Sequence, residues 1–224
     1  TGIDVAPNGR IWFTAKNGNR VYRFNPNTSL FTAFSYSGQA ANAQPEDIAV
    51  LGDDAIWFTA PGVNRVVKLT PSTNDFLNVS VLLTPGGATF PPGAVAVDSS
   101  NPWISAPTMG LIGRHAPGTL AFWRWYSLPT SGASPTDIFY RSAGGLNQIW
   151  FVETDDGRMG HLATDANGEL VYVREFALAS NSQPTGIVVD ANGHAWVASS
   201  GNNKIVEWLP PYFHFTYLPV VLKP

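Results

Sequence analysis

Apolar residues recur along this chain in short runs without helical spacing, and the runs group into five similar units. The units register on a tryptophan strand: Trp12-Phe13-Thr14, Trp57-Phe58-Thr59, Trp103-Ile104-Ser105, Trp150-Phe151-Val152 and Trp196-Val197-Ala198, spaced 45, 46, 47 and 46 residues apart. Each is preceded by an apolar run (Ile3 to Val5, Ile48 to Val50, Val95 to Val97, Ile138 to Tyr140, Ile187 to Val189) and a turn such as Asn8-Gly9 or Asn192-Gly193. Asn-Gly between two apolar runs signals a hairpin. A third run follows each tryptophan strand, and a fourth closes each unit: Leu30 to Phe34, Phe76 to Leu82, Phe122 to Leu128, Leu170 to Phe176 and Phe213 to Leu218. The pattern predicts an all-β chain, a five-bladed β-propeller with four antiparallel strands per blade. It fills residues 1–224 as a single domain, with blades at about 1–43, 44–90, 91–133, 134–182 and 183–218 and a tail at 219–224. The inner strands are apolar throughout, so both sheet faces are expected to be buried between neighbouring blades. A solenoid is the main competitor, but its terminal units need polar caps and these are as apolar as the middle ones.

Propellers commonly close by borrowing a strand from the opposite terminus. Here residue 1 already enters an innermost strand and Phe213 to Leu218 complete the fifth unit, so the ring is expected to close without strand exchange. Blades one and five meet by packing alone, or residues upstream of Thr1 have been removed, or the tail Pro219 to Pro224 reaches elsewhere. The proline that opens the other four units is missing before Thr1, which favours removal.

Composition narrows the function. Charged residues are 13% of the chain and the net charge is −3, so no basic field draws nucleic acid. No stretch is apolar and long enough to span a bilayer. The chain has no cysteine, which excludes disulfides, thiolate metal sites and a cysteine nucleophile. Few charges and many Asn, Ser and Thr suit an exported bacterial-type protein, secreted or held at the cell surface.

The run of proline, any residue, a small residue and isoleucine, then Trp-Phe-Thr and Asn-Arg-Val, resembles the virginiamycin B lyase family. Gln44-Pro45-Glu46-Asp47-Ile48 with Trp57-Phe58-Thr59 and Gln183-Pro184-Thr185-Gly186-Ile187 with Trp196 carry it, continued by Asn19-Arg20-Val21 and Asn64-Arg65-Val66. The resemblance implies a propeller; the antibiotic-opening lyases have seven blades. It also implies two essential histidines just after the leading proline, with a glutamate at the end of the tryptophan strand completing a magnesium-dependent site. At the histidine positions this chain has Glu46, Gly93, Thr136 and Thr185, with Thr1 in the first unit; only Glu153 keeps the strand-end carboxylate. Without an imidazole base the family reaction is not expected here.

The same positions are expected to converge on one propeller face, bringing Glu46, Asp47, Thr136, Asp137, Glu153, Thr185 and Lys16 to a common funnel, the default ligand site. Carboxylates Glu46, Asp47, Asp137 and Glu153 would suit Ca2+ or Mg2+. The favoured alternative is that Asp47 and Asp137 bond nearby backbone amides. His115 and His161 on third strands, His194 in a hairpin and His214 on a fourth strand share no unit, so packing or surface roles are expected. Asp155-Asp156-Gly157 reads as a turn. Aromatic outer strands, Trp123, Trp125 and Tyr126 in unit three and Phe213, Phe215 and Tyr217 in unit five, either offer a rim for a partner or fill the wedge between blades; the wedge is favoured. The leading functional expectation is a non-enzymatic propeller binding a small ligand, glycan or protein through funnel and rim. A divergent metal-dependent lyase or hydrolase, and a structural subunit of a surface layer or filament assembled through its tail, are the alternatives.

Overall fold

The structure, a computed structural model, describes residues 2–36, 41–82, 87–115 and 123–209, together with the backbone of strand 214–219. Among the described residues twenty strands form five four-stranded antiparallel sheets, each in sequence order, and the fold is a five-bladed β-propeller. The chain divides into two compact units, residues 1–106 with 113–125 and residues 107–112 with 126–224. The first unit holds the sheet of β1 (Ile3–Val5), β2 (Ile11–Ala15), β3 (Arg20–Asn25) and β4 (Leu30–Ser35). It also holds that of β5 (Ile48–Gly52), β6 (Ala55–Ala60), β7 (Arg65–Thr70) and β8 (Asp75–Ser80). The third sheet, β9 (Val95–Val97), β10 (Pro102–Ala106), β11 (Leu111–His115) and β12 (Trp123–Ser127), is crossed by the division. The second unit carries β13 (Pro135–Ala143), β14 (Leu146–Glu153), β15 (Arg158–Thr164) and β16 (Leu170–Ala177), then β17 (Pro184–Val189), β18 (Ala195–Ser199), β19 (Lys204–Leu209) and β20 (His214–Pro219).

The repeat builds each sheet by the same local devices. Seven residues after each tryptophan the backbone enters the left-handed region: Asn19 (φ 48°), Asn64 (54°), Gly110 (64°), Gly157 (60°) and Asn203 (53°). Asn and Gly tolerate that conformation at least cost, so the Asn-Arg-Val motif serves geometry. The carbonyls of Asn19, Asn64, Gly110 and Gly157 then accept the amides of Tyr36, Val81, Leu128 and Leu178, tying each outer strand back to its turn. The cores are built on the tryptophan strands: Trp12, Phe58, Trp103, Ile104 and Phe151 are fully buried.

A buried hydroxyl two residues after the tryptophan completes the first three sheets. Thr14, Thr59 and Ser105 accept the amides of Gly2, Asp47 and Ala94. The last two sheets have Val152 and Ala198 there, and the first strand bulges instead, between Pro135 and Asp137 and between Pro184 and Gly186. Thr136 and Thr185 are the extra residues, and both are exposed. A bulge re-aims a side chain and is frequent beside functional sites.

Two expectations need correction. Burial on both faces fails in the first sheet, where Ile3 and Val5 are 70% and 57% exposed, and Leu30 and Phe31 are exposed as well. Within its unit this sheet packs against β5–β8. The fourth strand of the second sheet ends at Ser80 rather than Leu82, because Val81 turns its amide to Asn64.

Candidate functional site

The positions singled out in the sequence fall in both units. In the first, Lys16 opens the turn that follows β2, and its Nζ lies 3.0 Å from Glu46 Oε2 with both side chains substantially exposed. Asp47 Oδ2 accepts the amide of Val95 at 2.7 Å. In the second unit Asp137 does the same two repeats on: Oδ2 accepts Ile187 N at 2.8 Å and Oδ1 accepts Ile138 N at 3.0 Å. These aspartates clamp the first strand of one sheet to that of the next, reaching amides a full repeat away rather than within their own turn, while Asp137 Oδ1 also takes the nearby amide of Ile138. Asp4 makes a third clamp to Val50 N at 2.7 Å, displaced two residues along the strand. Burial raises the pKa values of Asp4 and Asp137, against the opposing pull of the amides they accept.

Thr136 Oγ1 lies 2.7 Å from Thr154 Oγ1, and Thr154 Oγ1 donates to the Pro184 carbonyl at 2.6 Å. This hydroxyl chain joins the leading loops of the fourth and fifth sheets, while Thr185 stays exposed. Glu153 is fully buried, and neither carboxylate oxygen has a hydrogen-bond partner. Burial, reinforced by the nearby charges of Glu175 and Asp156, pushes its pKa up to about 8, so the proton stays on through neutral pH. Among the described residues no three histidine, aspartate or glutamate side chains gather to hold a metal ion. Of the four carboxylates expected to ligate Ca2+ or Mg2+, Asp47 and Asp137 are engaged by amides and Glu153 is in its neutral form.

The aromatic outer strand of the third sheet is a wedge rather than an exposed rim. Trp123 and Tyr126 are buried and Trp125 is half-buried. The indole nitrogens of Trp123 and Trp125 donate to the carbonyls of Ser80 (2.9 Å) and Leu82 (3.0 Å), and Tyr126 Oη donates to Gly168 O (2.7 Å). Bulky rings with one polar tip fill such space while keeping their donor satisfied. Phe213 and the tail beyond Pro219 lie outside the described residues, as do the side chains of Phe215 and Tyr217.

The second unit also holds a cavity that none of the sequence-predicted site residues lines. A cleft of about 390 Å³ opens between the fourth and fifth sheets, walled by Trp150, His161, Tyr172, Phe176 and Trp208, with Arg141 and Arg174 at its sides. The sequence signal for it is the residue opposite each repeat tryptophan: Arg23, Lys68, Arg114, His161 and Glu207, eleven residues on. In the first and third sheets this side chain lies over its indole, Arg23 at 5.6 Å from Trp12 and Arg114 at 5.4 Å from Trp103. The third sheet is further closed by Asp98, which is buried and accepts Arg114 Nη2 at 2.6 Å and Trp103 Nε1 at 3.3 Å. The fourth sheet has no such carboxylate. There His161 stacks flat on Trp150, ring centroids 3.9 Å apart, and burial and the charge of Arg174 lower its pKa to about 4, leaving a neutral ring. The fifth sheet breaks the pattern with Glu207, which pairs with His194 Nδ1 at 3.0 Å.

The family model described as the virginiamycin B lyase family matches residues 1–210. Virginiamycin B lyase from Staphylococcus aureus is similar in structure, with a TM-score of 0.78 at 21% identity, over 99% of this chain and 70% of that one. A catalytically inactive histidine variant of that lyase, from the same organism and with quinupristin, gives 0.79 at 20% identity over the same shares. An auxiliary nutrient binding protein from Bacteroides thetaiotaomicron gives 0.69 at 9% identity, over 96% of this chain and 56% of its own. Comparison with curated proteins gives no match.

Proposed function

The chain belongs to the virginiamycin B lyase family, and we propose that within it this protein holds a small ligand without turning it over. The observation that carries this reading is the set of residues after each leading proline, Glu46, Gly93, Thr136 and Thr185, none of which offers an imidazole. Elimination from an antibiotic ring needs a base that is unprotonated near neutral pH and within reach of the proton. Glu46 is paired with Lys16, Glu153 keeps its own proton, and Asp137 accepts two amides. His115 and His161 lie on third strands, and His194 is held between Asp190 and Glu207.

What supports binding is the cleft of the second unit, whose volume falls in the range of small-molecule sites, roughly 300–1,000 Å³. Likeness of fold to a nutrient binding protein is in keeping with it. The cysteine-free, charge-poor composition suits an exported binding protein. The test is to incubate the protein with quinupristin and Mg2+ and follow the intact ring by liquid chromatography. No ring opening above the protein-free rate is expected; opening that scales with protein concentration overturns the reading.

A further inference from the structure

We infer that the cleft between the fourth and fifth sheets is a site for a flat aromatic ligand bearing a carboxylate. The inference rests on the reading of this chain as a binding protein and adds the location and the chemical class. Its walls form one continuous aromatic surface: Trp208 to Trp150 (5.0 Å between centroids), Trp150 to His161 (3.9 Å) and His161 to Tyr172 (5.2 Å). Rings at offset and edge-on angles present faces and edges against which a planar apolar body can pack.

The charge of the cleft fixes the sign of the ligand. Arg174 lies over the Tyr172 ring at 5.2 Å, and the guanidinium of Arg141 donates to the carbonyls of Asp190 (3.4 Å) and Ala191 (3.1 Å). Among the described residues neither arginine has a carboxylate partner, and no acidic side chain lines the cleft. The residues outside the described set contain no aspartate or glutamate, so they supply no side-chain carboxylate either. Two unneutralised guanidinium groups beside low-dielectric walls, in a chain of net charge −3, make a local positive potential that attracts an anion. Guanidinium matches a carboxylate in shape and donor geometry.

The indole N–H groups of Trp150 and Trp208 are buried without an acceptor. Trp12 also has an orphan N–H, so that feature belongs partly to the repeat; in the fourth and fifth sheets two such donors belong to rings that line one cavity. Gly193 completes the shape. A Cβ there would stand 2.7 Å from Arg141 Nη1, so the glycine leaves that guanidinium room at the edge of the cleft.

Isothermal titration of the full chain with 2-naphthoate, and with its neutral isostere 2-naphthamide, tests the inference. The acid is expected to bind at least about tenfold more tightly than the amide, and Arg174→Gln and Arg141→Gln each to weaken the acid by about tenfold while leaving the amide unchanged. Arg20→Gln, at an exposed position that opens β3 in the other unit, is the control and should leave both affinities unchanged. Circular dichroism of the variants shows that the fold is intact. Equal affinity for acid and amide, absence of binding by either at millimolar concentration, or acid binding indifferent to both cleft arginines would overturn the proposal. These outcomes are separate from turnover: quinupristin opening would sink the non-lyase reading and leave naphthoate binding as it stands.

Discussion

Replacing Glu153 with glutamine isolates the cost of keeping a carboxylate where the fold buries it. The side chain is fully buried, and burial, reinforced by the nearby charges of Glu175 and Asp156, raises its pKa to about 8 from an ordinary 4.5. A folded pKa above the unfolded one means the native state binds the extra proton. The contribution to stability is therefore fully present below pH 4.5 and is lost as pH rises towards 8. At about 1.4 kcal/mol per unit, the loss reaches roughly 3 kcal/mol at pH 7. The glutamine side chain cannot ionise, and its amide can donate to the neighbouring carboxylates. Urea denaturation of the parent and of Glu153→Gln at pH 5, 7 and 9 reads the difference. The variant should match the parent within about 1 kcal/mol at pH 5, exceed it by roughly 3 kcal/mol at pH 7, and exceed it by roughly 5 kcal/mol at pH 9. A difference between the two that stays constant across the pH range would refute the reasoning.

Asp137→Ala leaves the amides of Ile138 and Ile187 without their acceptor and should lower stability by about 1–3 kcal/mol, while Asp137→Asn, which keeps an acceptor oxygen, should lose less than half of that; urea midpoints compare them. Arg114→Met strands the buried Asp98 carboxylate and should cost about 3–5 kcal/mol, and pairing it with Asp98→Asn should recover most of the loss; a double mutant no better than the single would show that the pair is not coupled.

The fold could be read from the chain because its information is local and periodic. Tryptophans about 46 residues apart, hairpin turns such as Asn8-Gly9 and the left-handed Asn19, Asn64 and Asn203 each specify a hairpin from neighbours in sequence. Five copies of such hairpins leave little choice of architecture. The absence of histidine after the leading prolines was equally legible by aligning one repeat on another, and the family resemblance is what gave those positions meaning.

The chain by itself thus determined the strands, their number, the propeller and the missing imidazoles. Only the tertiary structure decided what each polar side chain does. Asp47 and Asp137 were named as funnel carboxylates, yet their oxygens are held by amides a full repeat away, and a contact of that kind has no signature in spacing. Trp123 and Tyr126 are as aromatic as an exposed rim would be, but sheet-to-sheet packing buries them. The cleft depends on Arg141, His161 and Arg174 of one sheet meeting Trp208 and Gly193 of the next, and on which carboxylates fail to arrive there. Desolvation and charge pairing depend on distances between sheets, whereas the repeat records only order within each sheet; that is why the propeller could be read from the sequence and its unneutralised aromatic cleft could not.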